Sequence, residues 1–113
     1  MTEIDEAKFL LTHTKCIKYY DNGNIQSTHY MFDNLIDGEE KIWREDGKLL
    51  IQSNWVKGKK EGKFEQWHAN GMLSEICYFK NNKKNGESKK WYYNGLLKKH
   101  TLYRHGEVLE TYK

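Results

Sequence analysis

The sequence predicts an all-β chain, an elongated antiparallel meander of about four β-hairpin repeats forming one twisted sheet. Three observations carry this expectation. Gly23, Gly47, Gly71 and Gly95 stand 24 residues apart, and each follows an Asn or Asp, namely Asn22, Asp46, Asn70 and Asn94. Large side chains keep the same phase: Tyr19, Trp43, Trp67 and Trp91 before the glycines, Ile25, Leu49, Leu73 and Leu97 just after them, and Met31, Trp55, Phe79 and Tyr103 further on. Proline is absent from all 113 residues, so no position lacks an amide hydrogen for a sheet ladder on that account.

In chain order, residues 1–14 lack the repeat and form an N-terminal cap, whereas residues 15–113 form the array. Within the cap "TEID" resembles a helical capping box, and the segment is expected to cover the edge of the first strand. Each unit of the array reads as a hairpin, because Asx-Gly between apolar stretches supplies the positive φ that tight turns require. A two-residue loop would place Trp43 and Leu49 on opposite faces. A three-residue loop, Glu45-Asp46-Gly47 with a glycine bulge, pairs Trp43 with Leu49. Simple alternation from that register gathers Trp43, Leu49 and Trp55, with their equivalents, into one apolar ladder. Tyr20, Arg44, His68 and Tyr92, with Thr28, Gln52, Ile76 and His100, then fall on a mixed opposite face. A second glycine series, Gly38, Gly62 and Gly86, ends at Glu110 in the fourth unit. The connectors "VKGKKEG" and "KNNKKNG" are rich in Gly, Asn and Lys and too short for a parallel crossover.

With aromatic-x-x-[Asp/Asn]-Gly-x-[Leu/Ile] repeated four times, residues 15–113 resemble an array of MORN-type repeats, and most closely the MORN variant repeat. That variant is common in bacterial proteins, some labelled antitoxins, and in some viral proteins. The resemblance implies a non-enzymatic module for protein-protein interaction, a scaffold or adaptor. It also implies two alternatives, an antitoxin or immunity-type inhibitor of another protein and a peripheral tether binding acidic phospholipids.

Composition sets the limits around this. Hydrophobic residues make up 37% of the chain and charged residues 31%, so one modest core is all the chain can fill. No run approaches the ~20 apolar residues of a membrane span. Cys16 and Cys77 lack CxxC spacing and suit reduced thiols in a cytoplasmic setting, with a peripheral position at a membrane as the alternative. The five His are scattered, so no metal and no cofactor is implied. No catalytic set is evident: His68 reads as a face residue, because Tyr20, Arg44 and Tyr92 share its slot, and His29 and Cys77 hold the same slot in the first and third copies, so neighbouring hairpins need not bring them together as a Cys-His pair.

The candidate partner-binding residues are Trp43, Leu49, Trp55, Trp67, Leu73, Phe79 and Trp91, whose large flat area and low rotamer freedom suit interface anchors. Charge divides unevenly. Residues 1–56 hold 6 Lys and Arg against 10 Asp and Glu, a net −4, while residues 57–113 hold 13 against 6, a net +7. Lys57, Lys59, Lys60, Lys63, Lys80, Lys83 and Lys84 cluster at two connectors and are expected to steer an acidic protein surface. A second copy of the chain and an acidic phospholipid surface are the other partners considered. Nucleic acid ranks last, since no motif for it is present.

Overall fold

The computed structural model describes residues 2–113. Its elements are helix α1 (Glu3–Thr12) and strands β1 (Thr14–Tyr19), β2 (Ile25–Phe32), β3 (Leu35–Ile36), β4 (Gly38–Trp43), β5 (Leu49–Val56), β6 (Lys59–Lys60), β7 (Gly62–Trp67), β8 (Leu73–Lys80), β9 (Lys83–Lys84), β10 (Gly86–Trp91), β11 (Leu97–Arg104) and β12 (Glu107–Tyr112). All twelve strands form one antiparallel sheet with the path β1-β2-β4-β5-β7-β8-β10-β11-β12, and β3, β6 and β9 pair onto β2, β5 and β8. Four hairpin units in a single-layer meander are therefore what the 24-residue period encodes.

Two turn types alternate along the chain. At one end, Arg44 N donates to Lys48 O and Gly47 N donates to Arg44 O, which closes Glu45-Asp46-Gly47 as a three-residue loop. The Asp46 carboxylate accepts from Lys48 N at 2.9 Å, and Asn22, Asn70 and Asn94 make the same bond in their own turns. An acceptor two residues before the bonded amide is the reason for Asx here. Glycine follows because φ is +89° at Gly47. At the other end the loops are two residues long, with both residues at positive φ: Asp33-Asn34, Lys57-Gly58, Asn81-Asn82 and His105-Gly106. This is type I′ geometry. Most of each lysine-rich connector is therefore paired strand, and only its two central residues turn.

Between these ends each hairpin kinks. Met31 pairs with Ile36 and Thr28 with Lys41, so two extra residues sit on the β3–β4 side. Gly38 occupies this bulge at φ +116°, with Gly62 and Gly86 in the equivalent places. In the fourth unit, where Glu110 fills the slot, the offset shrinks to one residue, between Tyr103↔Val108 and Leu102↔Glu110.

The register corrects one expectation. Trp43 pairs with Leu49 as the three-residue loop requires, but Ile42 pairs with Ile51, leaving Leu50 as an extra residue. Gln26, Ser74 and Lys98 are extra at the same place in the other hairpins. One inserted residue reverses parity. Trp55 pairs with Gly38, five positions before Trp43 on one strand, and so lies on the opposite face from Trp43. The expected single ladder is two groups. A front face carries Glu40, Ser53, Trp55, Phe64, Cys77 and Phe79. A back face carries Trp43, Leu49, Gln52, Trp67, Leu73 and Trp91. Side-chain bonds agree: Ser53 Oγ and Trp55 Nε1 both donate to Glu40 Oε1, and Gln52 Nε2 donates to Glu39 Oε2 on the other side.

The hairpins are stitched at both ends. The Asp37 carboxylate, the Glu61 carboxylate and the Asn85 amide oxygen accept from the turn amides of Lys57, Asn81 and His105 in the following unit. At the far end, Tyr20, Arg44 and His68 donate to the carbonyls of Trp43, Trp67 and Trp91. Such bonds tie each unit only to its neighbour, as in other repeat arrays.

The cap is helix α1, with Thr2 as its N-cap accepting from Asp5 N. Phe9 meets the Tyr30 ring edge-on at 5.0 Å and stacks on His13 at 3.7 Å. His13 Nε2 donates to Asp37 at 2.6 Å. The helix thus rests on the back face at Tyr30 and Gly38, where the sequence suggested cover for the strand edge.

Candidate interaction surface

The front face is the core of the sheet and also its most distinctive surface. Its central slots hold small residues, Ser53, Cys77, Ser88 and Thr101, all at or below 4% exposure. In a single-layer sheet nothing from a second layer covers them. Larger residues share the same face: Trp55, Phe64, Phe79, Tyr103, Lys60 and Lys84. Phe64 and Phe79 meet edge-on at 6.0 Å.

Lys60 Nζ lies over three rings, 5.7 Å from Trp55, 5.1 Å from Phe64 and 5.0 Å from Phe79. Lys84 repeats the arrangement one unit later, 5.2 Å over Tyr103. Each such contact is worth about 0.5–1 kcal/mol at a solvent-facing site. The two lysines differ in their counter-charge. Lys84 is 3.7 Å from Glu75, whereas among the described residues no carboxylate lies within 4.0 Å of Lys60. Back-face charges are more often matched: Lys41 with Glu39 and Lys63 with Glu65 at 3.4 and 3.5 Å.

The candidate residues therefore separate. Trp55, Phe79, Lys60 and Lys84 share the front face. Trp43, Leu49, Trp67, Leu73 and Trp91 form aromatic–aliphatic pairs on the back face at the three-residue turns, Trp43 beside Gly23, Asn24, Ile25 and Gly47. Lys57 lies in a turn, Lys63 pairs with Tyr78 on the back face, and Lys59, Lys80 and Lys83 flank the two-residue turns. Phe64 escaped the sequence pattern because its slot holds Cys16, Glu40, Phe64 and Ser88, four unlike residues. A further groove of about 490 Å³ lies between α1 and the back face, beside Glu6, Phe9, Tyr30 and Glu39.

The ionisable groups on the front face do not form a reactive set. Burial pushes the Cys77 thiol up to about 11, with the Glu75 charge adding to the effect and Lys84, Lys60 and Lys90 opposing it. The thiol stays protonated at neutral pH. Cys16 and His29 face one another across β1 and β2, a juxtaposition not evident from repeat slots, but among the described residues no hydrogen bond joins them and no third group hydrogen-bonds to the imidazole. His68 is occupied by the Trp91 carbonyl.

No described helix is long and apolar enough to cross a membrane. Neither a curated relative nor a solved structure matches the chain. The family model for the MORN repeat variant matches residues 12–34, 36–57 and 60–81, more than half of the sequence, and the fourth hairpin continues the same geometry beyond those spans. On that match, the chain belongs to the MORN repeat variant family.

Proposed function

We propose that the chain is a non-enzymatic interaction module, a scaffold or adaptor, that holds an acidic protein surface against its front face. The observation that carries this reading is Lys60, whose ammonium sits over three aromatic rings with no carboxylate within 4.0 Å among the described residues. A half-buried cation of this kind gains when a partner supplies the missing charge and excludes water from the rings. Two further points support it. MORN repeats are commonly protein- or membrane-interaction modules and generally non-catalytic, and the C-terminal half of the chain carries a net +7. An inhibitor that covers another protein's active site would be one specialised form of the same binding.

The test is affinity capture with the immobilised chain from its native lysate, comparing Lys60→Glu/Lys84→Glu with the back-face pair Lys63→Glu/Lys89→Glu, where Lys89 follows front-face Ser88 on β10 and so falls on the other side. Both pairs change net charge equally. The front-face pair is expected to release the partner and the back-face pair to retain it. Equal loss with both would reduce the reading to general charge attraction and overturn it.

A further inference from the structure

The front face carries a regular row across the strands. In spatial order it runs Trp55 on β5, Lys60 on β6, Phe79 on β8, Lys84 on β9 and Tyr103 on β11. Trp55 pairs with Lys60, Phe79 pairs with Lys84, and the lysines reach across to Phe79 and Tyr103. Aromatic rings and ammonium groups therefore alternate. The row has limits at both ends, since the lysine slot holds Ile36 in the first unit and Val108 in the fourth. Beyond Trp55, Glu40 is on the same face with one carboxylate oxygen bound by Ser53 and Trp55.

The spacing of the row defines what fits it. The β6 and β9 lines flank β8, so Lys60 and Lys84 are two strand separations apart, roughly 9–10 Å. On an extended chain, side chains on one side recur at about 6.6–6.8 Å and again near 13 Å, and neither matches. On an α-helix, residues seven apart share a face and lie about 10.5 Å apart along the axis. Residues three and four along the same helix fall midway, over Phe79. The order acid, apolar pair, acid is the complement of cation, ring, cation.

We infer that the front face receives an amphipathic acidic helix lying across the strands, with two carboxylates seven residues apart on Lys60 and Lys84 and apolar side chains on Phe79. This rests on the reading of the front face as the partner surface and names the partner's form. The two subsites are unequal. Lys60 is free to accept a carboxylate, whereas at Lys84 the incoming group competes with Glu75 at 3.7 Å.

The test uses the full chain and two capped Ala/Gln-rich helical peptides of identical composition. One carries two Glu seven residues apart with Leu at the third and fourth positions between them, and the other has the Glu residues five apart. Binding is followed by calorimetry, with phosphatidylserine vesicles as a separate probe. The heptad-spaced peptide is expected to bind about fivefold tighter than its control. Lys60→Met, which keeps an apolar stem over the rings, should remove that preference. Lys84→Met should weaken it less, and Glu75→Gln should strengthen it. A thermal melt of each variant confirms that the sheet is intact. Equal binding of both peptides that still depends on Lys60 would overturn the helix while leaving the acidic-partner reading standing. Vesicle binding without peptide binding would overturn the helix in favour of a membrane surface. Peptide binding indifferent to both lysines would overturn the site itself.

Discussion

The Nε2–H of His68 donates to the carbonyl oxygen of Trp91 at 2.9 Å, 23 residues further along the chain. Tyr20 and Arg44 make the equivalent bond to Trp43 and Trp67. An imidazole, a phenol and a guanidinium thus do one task in three units, which is holding the next hairpin in register. His68→Tyr should therefore be tolerated, and His68→Leu should cost about 1 kcal/mol by leaving the carbonyl short of a donor. Thermal melts compare them, and equal losses would mean the bond contributes nothing.

In the three-residue turns the Asx side chain supplies a hydrogen bond, and the glycine supplies backbone conformation rather than space. A Cβ at Gly71 would meet nothing within 4 Å, but φ there is +86°. Gly71→Val is expected to cost about 1–2 kcal/mol and Gly71→Asn clearly less, because Asn visits the left-handed region more readily. Ala69→Ser, in the same turn, should be nearly neutral. Denaturant midpoints for the three variants check the order.

The bulge glycines differ in what surrounds them. A Cβ at Gly38 would sit 2.7 Å from Phe9 Cζ, whereas at Gly62 it would find open space. Both positions carry positive φ, so both alanine variants are strained, but Gly38→Ala must also displace helix α1. We expect it to lose about 1 kcal/mol more than Gly62→Ala. Adding Phe9→Leu to each should narrow the difference, and an unchanged gap would show that the helix contact is not its source.

Acid should loosen the same cap. Burial alone would raise the pKa of Asp37, but the hydrogen bonds from His13 and the Lys57 amide, with their positive charge, outweigh it and hold the carboxyl below its ordinary 3.8. A group with a depressed folded pKa contributes stability above the unfolded value, and that contribution fades as pH falls through the folded one. The stability advantage of the native chain over Asp37→Asn should therefore be full at about pH 6 and shrink toward about pH 3. An advantage that is constant across that range would exclude the charge as its cause.

The repeat, the three-residue turn and the Trp43–Leu49 pair were legible in the sequence because each rests on spacing from an Asx-Gly and on the conformations glycine allows. The faces were not. Leu50, Gln26, Ser74 and Lys98 look like ordinary strand residues, yet each is the extra residue of a bulge and reverses everything beyond it. Nothing in a side chain marks it as unpaired, so counting by twos from Leu49 put Trp55 with Trp43. The front-face row was missed for the same reason: Lys60 reads as one lysine of a connector until the turn is known to be only Lys57-Gly58. Helix α1 was half legible, its N-cap in "TEID" but its seat on Tyr30 only in the fold.

The front face as the partner surface is tested most directly by lysine footprinting of the captured complex. The chain is acylated with an amine-selective reagent, alone and bound, and each lysine is quantified by mass spectrometry. Binding is expected to slow modification of Lys60 and Lys84 together, while Lys63 and Lys89 on the back face react as before. Protection of Lys63 and Lys89 with Lys60 and Lys84 unchanged would contradict the front face as the partner surface.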